Sequence, residues 1–257
     1  MRPPTALTVA GSDSGGGAGI QADLKTFLCR GVYGMSVLTA TTAQSTRGVT
    51  DVHLLPPAHV RAQLRAVLED LPVDAIKIGM LGDAARIDAV ADVLEALPVR
   101  PPVVLDPVMV AKGGAPLLDP DSVAALRTRL LPLATIVTPN LPEAEALGAL
   151  SGFVLRKGGH AEGVLVEDVL EHDGARVRAW THPRAHTGDT HGTGCTLAAC
   201  LAAELAKGAT LESACGSAIA FIAELIARGP SAGRIGGGHG PLLHGLLPSR
   251  DVPVTKP

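Results

Sequence analysis

The stretch Thr190-His191-Gly192-Thr193-Gly194-Cys195-Thr196 runs directly into an apolar segment from Leu197 to Leu205. A glycine-rich turn that opens into a helix is a place to hold an anion. The first turn of a helix leaves backbone N–H groups without partners, and the helix dipole adds partial positive charge there. Gly192 and Gly194 let the backbone approach closely whatever sits at that end. Cys195 stands in the same turn. A helix N-terminus lowers a thiol pKa, which makes Cys195 a candidate base or nucleophile; the plainer reading is an inert packed cysteine. An anion cradle with a proton acceptor beside it suits phosphoryl transfer, where catalysis is mostly positioning and charge neutralisation.

Other polar clusters come directly after short apolar runs. Gly11-Ser12-Asp13-Ser14-Gly15-Gly16-Gly17-Ala18-Gly19 lies between a strand pattern and a helix pattern. Its glycines miss the G-x-G-x-x-G register, and G-x-x-x-x-G-K-S/T occurs nowhere, so neither a dinucleotide fingerprint nor a Walker loop is present. A backbone-rich loop closing over a small substrate fits better. Asp23 lies one turn into the next helix, where a solvated helix face is the plainer alternative. Gln44 ends an apolar strand; its carboxamide donates and accepts, as the edge of a heterocycle requires, or simply finishes the strand. Asp106 ends the buried run Val103-Val104-Leu105. Asn140-Leu141-Pro142-Glu143 ends another and starts a helix. Carboxylates there can hold Mg²⁺ through water, and Asn140 with Glu143 also reads as a capping box. Lys157-Gly158-Gly159-His160 comes after a strand; Lys157 is placed to meet phosphates, or is a surface lysine at a strand end.

These clusters need elements to position them. Short apolar runs alternate with longer amphipathic ones, the pattern of βα units. The patterning predicts strands at Ala6–Ala10, Met35–Thr42, Ala75–Ile78, Val103–Asp106, Ile136–Thr138 and Phe153–Arg156. It predicts helices at Ala18–Arg30, Pro57–Leu71, Asp83–Leu97, Pro120–Leu131 and Leu141–Leu150. Val164–Leu170 and Arg176–Trp180 form a hairpin around Asp173-Gly174. Ala-rich helices come next at Thr193–Lys207 and Leu211–Arg228, and a Gly/Pro-rich tail from about Gly229 is expected along the surface. The expectation is one α/β domain over residues 1–257, with a central, mostly parallel sheet flanked by helices on both faces. In such sheets ligands bind beyond the C-terminal strand ends, where the polar clusters fall.

Bulk composition narrows the function. Hydrophobic residues make up 46% and aromatics 2% of the 257 residues, so the core must be built from Ala, Val, Leu and Ile. A formal net charge of -3 without a long basic run argues against nucleic acid or anionic membranes as partners. Cys29, Cys195, Cys200 and Cys215 show no C-x-x-C spacing and fit a reducing compartment. No signal-peptide pattern or membrane span is evident, so a cytoplasmic location is expected.

Taken together, the stretches Ala10–Lys25, Lys77-Ile78-Gly79-Met80-Leu81, Leu105-Asp106-Pro107-Val108-Met109, Thr138-Pro139-Asn140-Leu141-Pro142-Glu143-Ala144 and Thr190–Thr196 are far more specific than any one alone. The chain resembles the hydroxymethylpyrimidine and phosphomethylpyrimidine kinases of thiamine biosynthesis, in the ribokinase-like superfamily. The tail Gly238-His239-Gly240-Pro241-Leu242 also resembles the family's ending. The resemblance implies two successive ATP-dependent phosphorylations of an aminopyrimidine alcohol. It implies that Gly11, Asp23, Gln44, Met80, Val108 and Cys195 line the pyrimidine pocket. Gly192, Thr193, Gly194 and Cys195 would form the anion hole, Lys157, Asn140 and Thr190 would meet ATP, and Glu143 and Asp106 would lie near Mg²⁺. It also implies a homodimer. Most superfamily members carry an aspartate base where this chain has Cys195.

Two departures from the family pattern stand out. The family usually has a longer insert, with a further helix, between the helix holding Glu143 and the strand ending at Lys157; here only Ala144–Arg156 lies between. A parallel crossover needs about 10–12 residues including its helix, so the segment is long enough for closure to be possible, though its shortness could alter the nucleotide rim or expose sheet. Asp189 stands where asparagine is more usual, and a carboxylate near phosphates is mildly unfavourable unless a metal or lysine offsets it. The competing readings are a pyridoxal or pyridoxine kinase and a non-catalytic pyrimidine-binding regulator.

Overall fold

The computed structural model describes residues 2–111, 114, 117–119, 122–160, 163–185 and 187–245. Six parallel strands form its centre: β1 (Thr5–Ala10), β2 (Tyr33–Leu38), β5 (Ala75–Ile78), β6 (Val103–Leu105), β7 (Ile136–Val137) and β8 (Phe153–Arg156). The hairpin β9 (Leu165–His172) and β10 (Ala175–Pro183) is added antiparallel at one edge. The resulting eight-stranded sheet has the order β10-β9-β8-β7-β6-β5-β1-β2. Strands β1, β5, β6 and β7 are buried throughout, as expected of parallel strands covered on both faces.

The helices divide between the faces. On one side α1 (Gly19–Cys29), α6 (Thr193–Ala206) and α7 (Leu211–Ala232) enclose a core with Phe27, Leu201 and Ile219. The small side chains Ala198, Ala199, Ala202 and Ala203 let α6 lie close to the sheet. On the other side α2 (Pro57–Leu68) and α3 (Ala84–Glu95) pack Leu64, Ile87 and Leu94 against it. Among the described residues, no helix is long and apolar enough to cross a membrane.

The structure departs from the sequence reading in four places. The strand expected at Met35–Thr42 breaks at Thr39, whose N–H donates to Ala10 O and whose hydroxyl donates to Met80 O. Beyond it β3 (Ala40–Ser45) leaves the sheet and pairs with β4 (Gly48–Leu54), a strand the patterning missed. Pro120, the expected start of a long helix, lies outside the described residues. In place of that helix the chain forms a short α4 (Val123–Ala125), a π-helical turn at Leu126–Leu130 and a 3-10 turn at Leu131–Leu133, where Pro132 removes a ladder donor. Helix α7 continues through Gly229 and Pro230 to Ala232. The tail after it does not stay on the surface: Leu242 and His244 are buried, and His244 Nε2 lies 2.9 Å from Thr196 Oγ1 in α6.

The short crossover closes. Helix α5 (Leu141–Leu147) ends at Gly148, which takes a φ of 70°, and β8 then pairs in register with β7. Leu147, Val154 and Leu155 are fully covered, so the missing insert leaves these side chains unexposed.

Candidate active site

A cleft of about 730 Å³ opens beyond the C-terminal ends of the parallel strands. Every residue expected in the site lines it except Asp23. The cleft therefore joins the loop after β1, Gln44 on β3, the ends of β6 and β8, and the start of α6.

The loop after β1 is organised from within by Asp13. Its buried carboxylate accepts from the N–H groups of Gly15, Gly17 and Ala18 at 2.8, 3.0 and 2.8 Å and lies 2.9 Å from His191 Nε2. Burial pushes the Asp13 carboxyl up, but His191 and the backbone donors outweigh it and hold it below the ordinary carboxylate value. Gln44 Nε2 lies 3.3 Å from the same His191 nitrogen. His191 thus ties the loop and β3 to the turn that opens α6.

Gly192 caps α6 with a φ of 83° and no side-chain cap, which leaves the first-turn N–H groups for a ligand. A Cβ on Gly192 would overlap the Gly17 carbonyl. Gly192→Ala is therefore expected to push the loop from the cradle and reduce turnover at least tenfold, with about 1 kcal/mol or more lost to the left-handed backbone alone. Parallel rate and unfolding measurements check this. A Cβ on Gly194 would face Lys157 Nζ at 3.4 Å and Asp106 Oδ2 at 3.6 Å, so the turn opens toward those two groups.

The thiol corrects the sequence expectation. Burial pushes Cys195 up to about 11; Lys77 opposes this, the Asp23 and Asp106 carboxylates add to it, and a hydrogen bond with the Gly19 backbone lowers it. The helix terminus does not make Cys195 a resting thiolate.

Asp23 lies under the cleft, not in its wall. It is fully buried, accepts from Thr8 Oγ1 at 2.6 Å and pairs with Lys77 Nζ at 2.8 Å. Lys77, also fully buried within β5, reaches the cleft. Met80 packs its sulfur over Gly11, where a Cβ would meet Sδ at 2.9 Å. Val108 also lines the cleft, its N–H donating to Asp106 O at 2.8 Å.

Toward β8, Lys157 Nζ pairs with Asp106 Oδ1 at 2.8 Å, and Thr138 Oγ1 donates to the same oxygen at 3.2 Å. Asn140 and Glu143 form the expected capping box at the start of α5. Burial pushes Glu143 up to about 7, with Lys157 opposing and Asp106 adding to the shift. Between its ordinary 4.5 and 7 the folded state holds a proton that the unfolded chain has released. This carboxyl's contribution to stability therefore falls as pH rises through that window. Glu143→Gln is expected to remove the dependence, so melting temperatures at about pH 5 and about pH 8 should differ less than in the wild type. Asp106 is committed to Lys157 and Glu143 to its cap, and among the described residues no three His, Cys, Asp or Glu side chains cluster as metal ligands.

The phosphomethylpyrimidine kinase family model matches residues 13–151 and 149–243. The chain belongs to that family. It is 50% identical to the hydroxymethylpyrimidine/phosphomethylpyrimidine kinase of Haemophilus influenzae, with 93% of this chain and 95% of the relative covered. It is 43% identical to the enzyme of that name from Escherichia coli, with 95% and 98% covered. Among solved structures, the ADP complex of Bacillus subtilis pyridoxal kinase superposes with a TM-score of 0.85 at 36% identity, covering 95% and 98%. The phosphomethylpyrimidine kinase of Clostridium difficile gives 0.73 at 38% identity, covering 86% and 99%. The sheet and its flanking helices are those of the ribokinase-like fold.

Membership places the departures in context. The family match splits at 149–151, the short crossover between α5 and β8. Asp189, the unusual carboxylate, accepts from Gly240 N–H at 3.1 Å and lies 3.5 Å from Arg234 Nε, so a cation does offset it. Lys77, Asp13 and His191 have places in the site that the sequence motifs do not assign. Lys77 carried a usable signal: a charge inside the otherwise apolar Ala75-Ile76-Lys77-Ile78 breaks the pattern of a buried strand.

Proposed function

We propose that this kinase transfers phosphoryl groups from ATP to 4-amino-5-hydroxymethyl-2-methylpyrimidine and then to the resulting monophosphate, supplying the diphosphate for thiamine diphosphate synthesis. The observation that carries the reading is a single cleft whose lining joins the turn Gly192–Cys195 to Gly11, Gln44, Met80 and Val108 and also to Lys157, Asn140 and Thr190. We take the first group as one wall and the second as the other. In this reading the first wall takes the aminopyrimidine and the second takes ATP. Gly192, Thr193, Gly194 and Cys195 receive the transferring phosphoryl group, where preorganised N–H donors stabilise developing charge. Asp23 acts on the pyrimidine side from beneath, through Lys77.

Mg²⁺ fits as a phosphate-bound ion that keeps most of its waters, since the site offers Asp106 and Glu143 and, among the described residues, no cage of protein ligands. Bound there, it would neutralise phosphate charge. Burial is the main cause that raises the Glu143 carboxyl, and the nearby Asp106 carboxylate adds to it, so a cation bound between the two would lower it. Homodimeric assembly and a cytoplasmic location belong to the same reading; sedimentation of the purified protein tests the first.

Purified protein with ATP, Mg²⁺ and the hydroxymethylpyrimidine should yield monophosphate and then diphosphate by mass. Absence of both products from folded protein would overturn the reading. Pyridoxal is a second candidate substrate, favoured by the closer superposition on pyridoxal kinase. Competition between pyridoxal and the pyrimidine ranks the two.

A further inference from the structure

Asp168 lies on β9, outside the sequence motifs of the cleft, yet its carboxylate is buried at the cleft's edge. Both of its oxygens are engaged. Oδ1 accepts from the Gly158 N–H at 2.9 Å, and Oδ2 lies 3.3 Å from His182 Nε2 on β10. Gly158 comes directly after Lys157. Its backbone packs so closely on β9 that a Cβ would overlap the Glu167 carbonyl oxygen. Arg184, just past β10, donates to Gly159 O and Gly163 O, each at 2.7 Å. On the other side the Lys157 N–H donates to Pro139 O at 3.1 Å. The turn that presents Lys157 is thus held from the antiparallel hairpin, not by its own sequence.

A buried carboxylate is expensive to desolvate, and a surface turn needs no such anchor for stability alone. Two glycines after a lysine otherwise leave the turn free to adopt many conformations. We propose that Asp168 is a positioning residue for the nucleotide: by fixing the Gly158 N–H it sets where the Lys157 ammonium and the Gly158–Gly159 backbone meet ATP phosphates. It touches no reacting atom. The inference rests on the assignment of this wall to ATP, and it goes beyond that assignment by naming the group that preorganises the wall.

The hydrogen bond, rather than the charge, performs this role. Asp168→Asn keeps an acceptor for Gly158 N–H, whereas Asp168→Ala removes it. The probe is a fluorescent ADP analogue titrated into the full chain, with the aminopyrimidine titrated separately by calorimetry. Asp168→Ala is expected to weaken nucleotide binding roughly tenfold, because a misplaced phosphate contact loses the gain of preorganisation, while pyrimidine binding stays within about twofold. Asp168→Asn is expected to stay near wild type on both. Gly158→Ala, which forces the turn off β9, should reproduce the nucleotide-specific loss.

Three results would overturn the proposal: unchanged nucleotide affinity in Asp168→Ala, an equal loss for both ligands, or an Asn variant as weak as the Ala variant. A variant that fails to fold loses pyrimidine binding too and counts as the second. Wild-type protein that binds the pyrimidine but no ADP analogue would instead sink the assignment of the wall to ATP.

Discussion

Cys195→Ala is expected to slow phosphorylation of the pyrimidine alcohol by about 10²–10⁴-fold, the range of a lost general base. Phosphorylation of the monophosphate should fall by less than about tenfold. The reason is the state of each acceptor. An alcohol must lose a proton to attack, whereas a phosphate monoester has its second pKa near about 6 and is ionised at neutral pH. Burial pushes the Cys195 thiol up to about 11, so the thiolate is a minor species at neutral pH and its share grows about tenfold per pH unit. The first step in the wild type should therefore accelerate as pH rises toward 9, and the variant should lose that slope. Both steps are tracked by product mass over a pH series. Equal losses in the two steps would mean that the thiol positions the transition state and takes no proton.

Lys77→Met should destabilise the fold by about 3–5 kcal/mol, because it leaves the Asp23 carboxylate buried without its partner. Burial pushes Asp23 up, and the Lys77 ammonium 2.8 Å away restrains it; one oxygen, Oδ1, already lacks a hydrogen-bond partner. In the variant Asp23 rises further and takes up a proton on folding. The folded state then binds more protons than the unfolded chain, so the destabilisation shrinks as pH falls. In the wild type the Lys77 ammonium is itself raised from 10.5 by Asp23 and its neighbours, against burial. Its contribution is present below that pH and is lost as pH rises above it. Urea unfolding of Lys77→Met and of the double variant with Asp23→Leu, at about pH 5 and about pH 8, separates the cases. The double variant should recover most of the loss, since an apolar pair of similar volume often replaces a buried ion pair at little cost. No recovery would mean that the pair supports the fold through geometry rather than by mutual neutralisation.

Both experiments concern groups whose types were plain in the sequence and whose environments were not. The apolar runs of β1, β5, β6, β7 and β8 were legible because strands covered on both faces need continuous hydrophobic side chains. The Asn140–Glu143 capping box and the Gly192 turn were legible because they depend on residues within one helical turn. The β3–β4 hairpin was not, since the chain turns at Thr46-Arg47 without a glycine pair and β3 leaves the sheet through contacts of Thr39 with Ala10 and Met80. The tail looked like surface from its glycines, yet His244 reaches Thr196, 48 positions away.

By itself the sequence determined the α/β class, the order of loops that supply the cleft, the glycine turn that opens α6 and the family, because each rests on local periodicity or contiguous motifs. Only the tertiary structure decided that Cys195 rests as a thiol, that Asp23 lies beneath the cleft on Lys77, and that Asp168 anchors the lysine turn. Each of these depends on burial and on partners distant along the chain, and desolvation of a charge is set by the atoms that surround it in space.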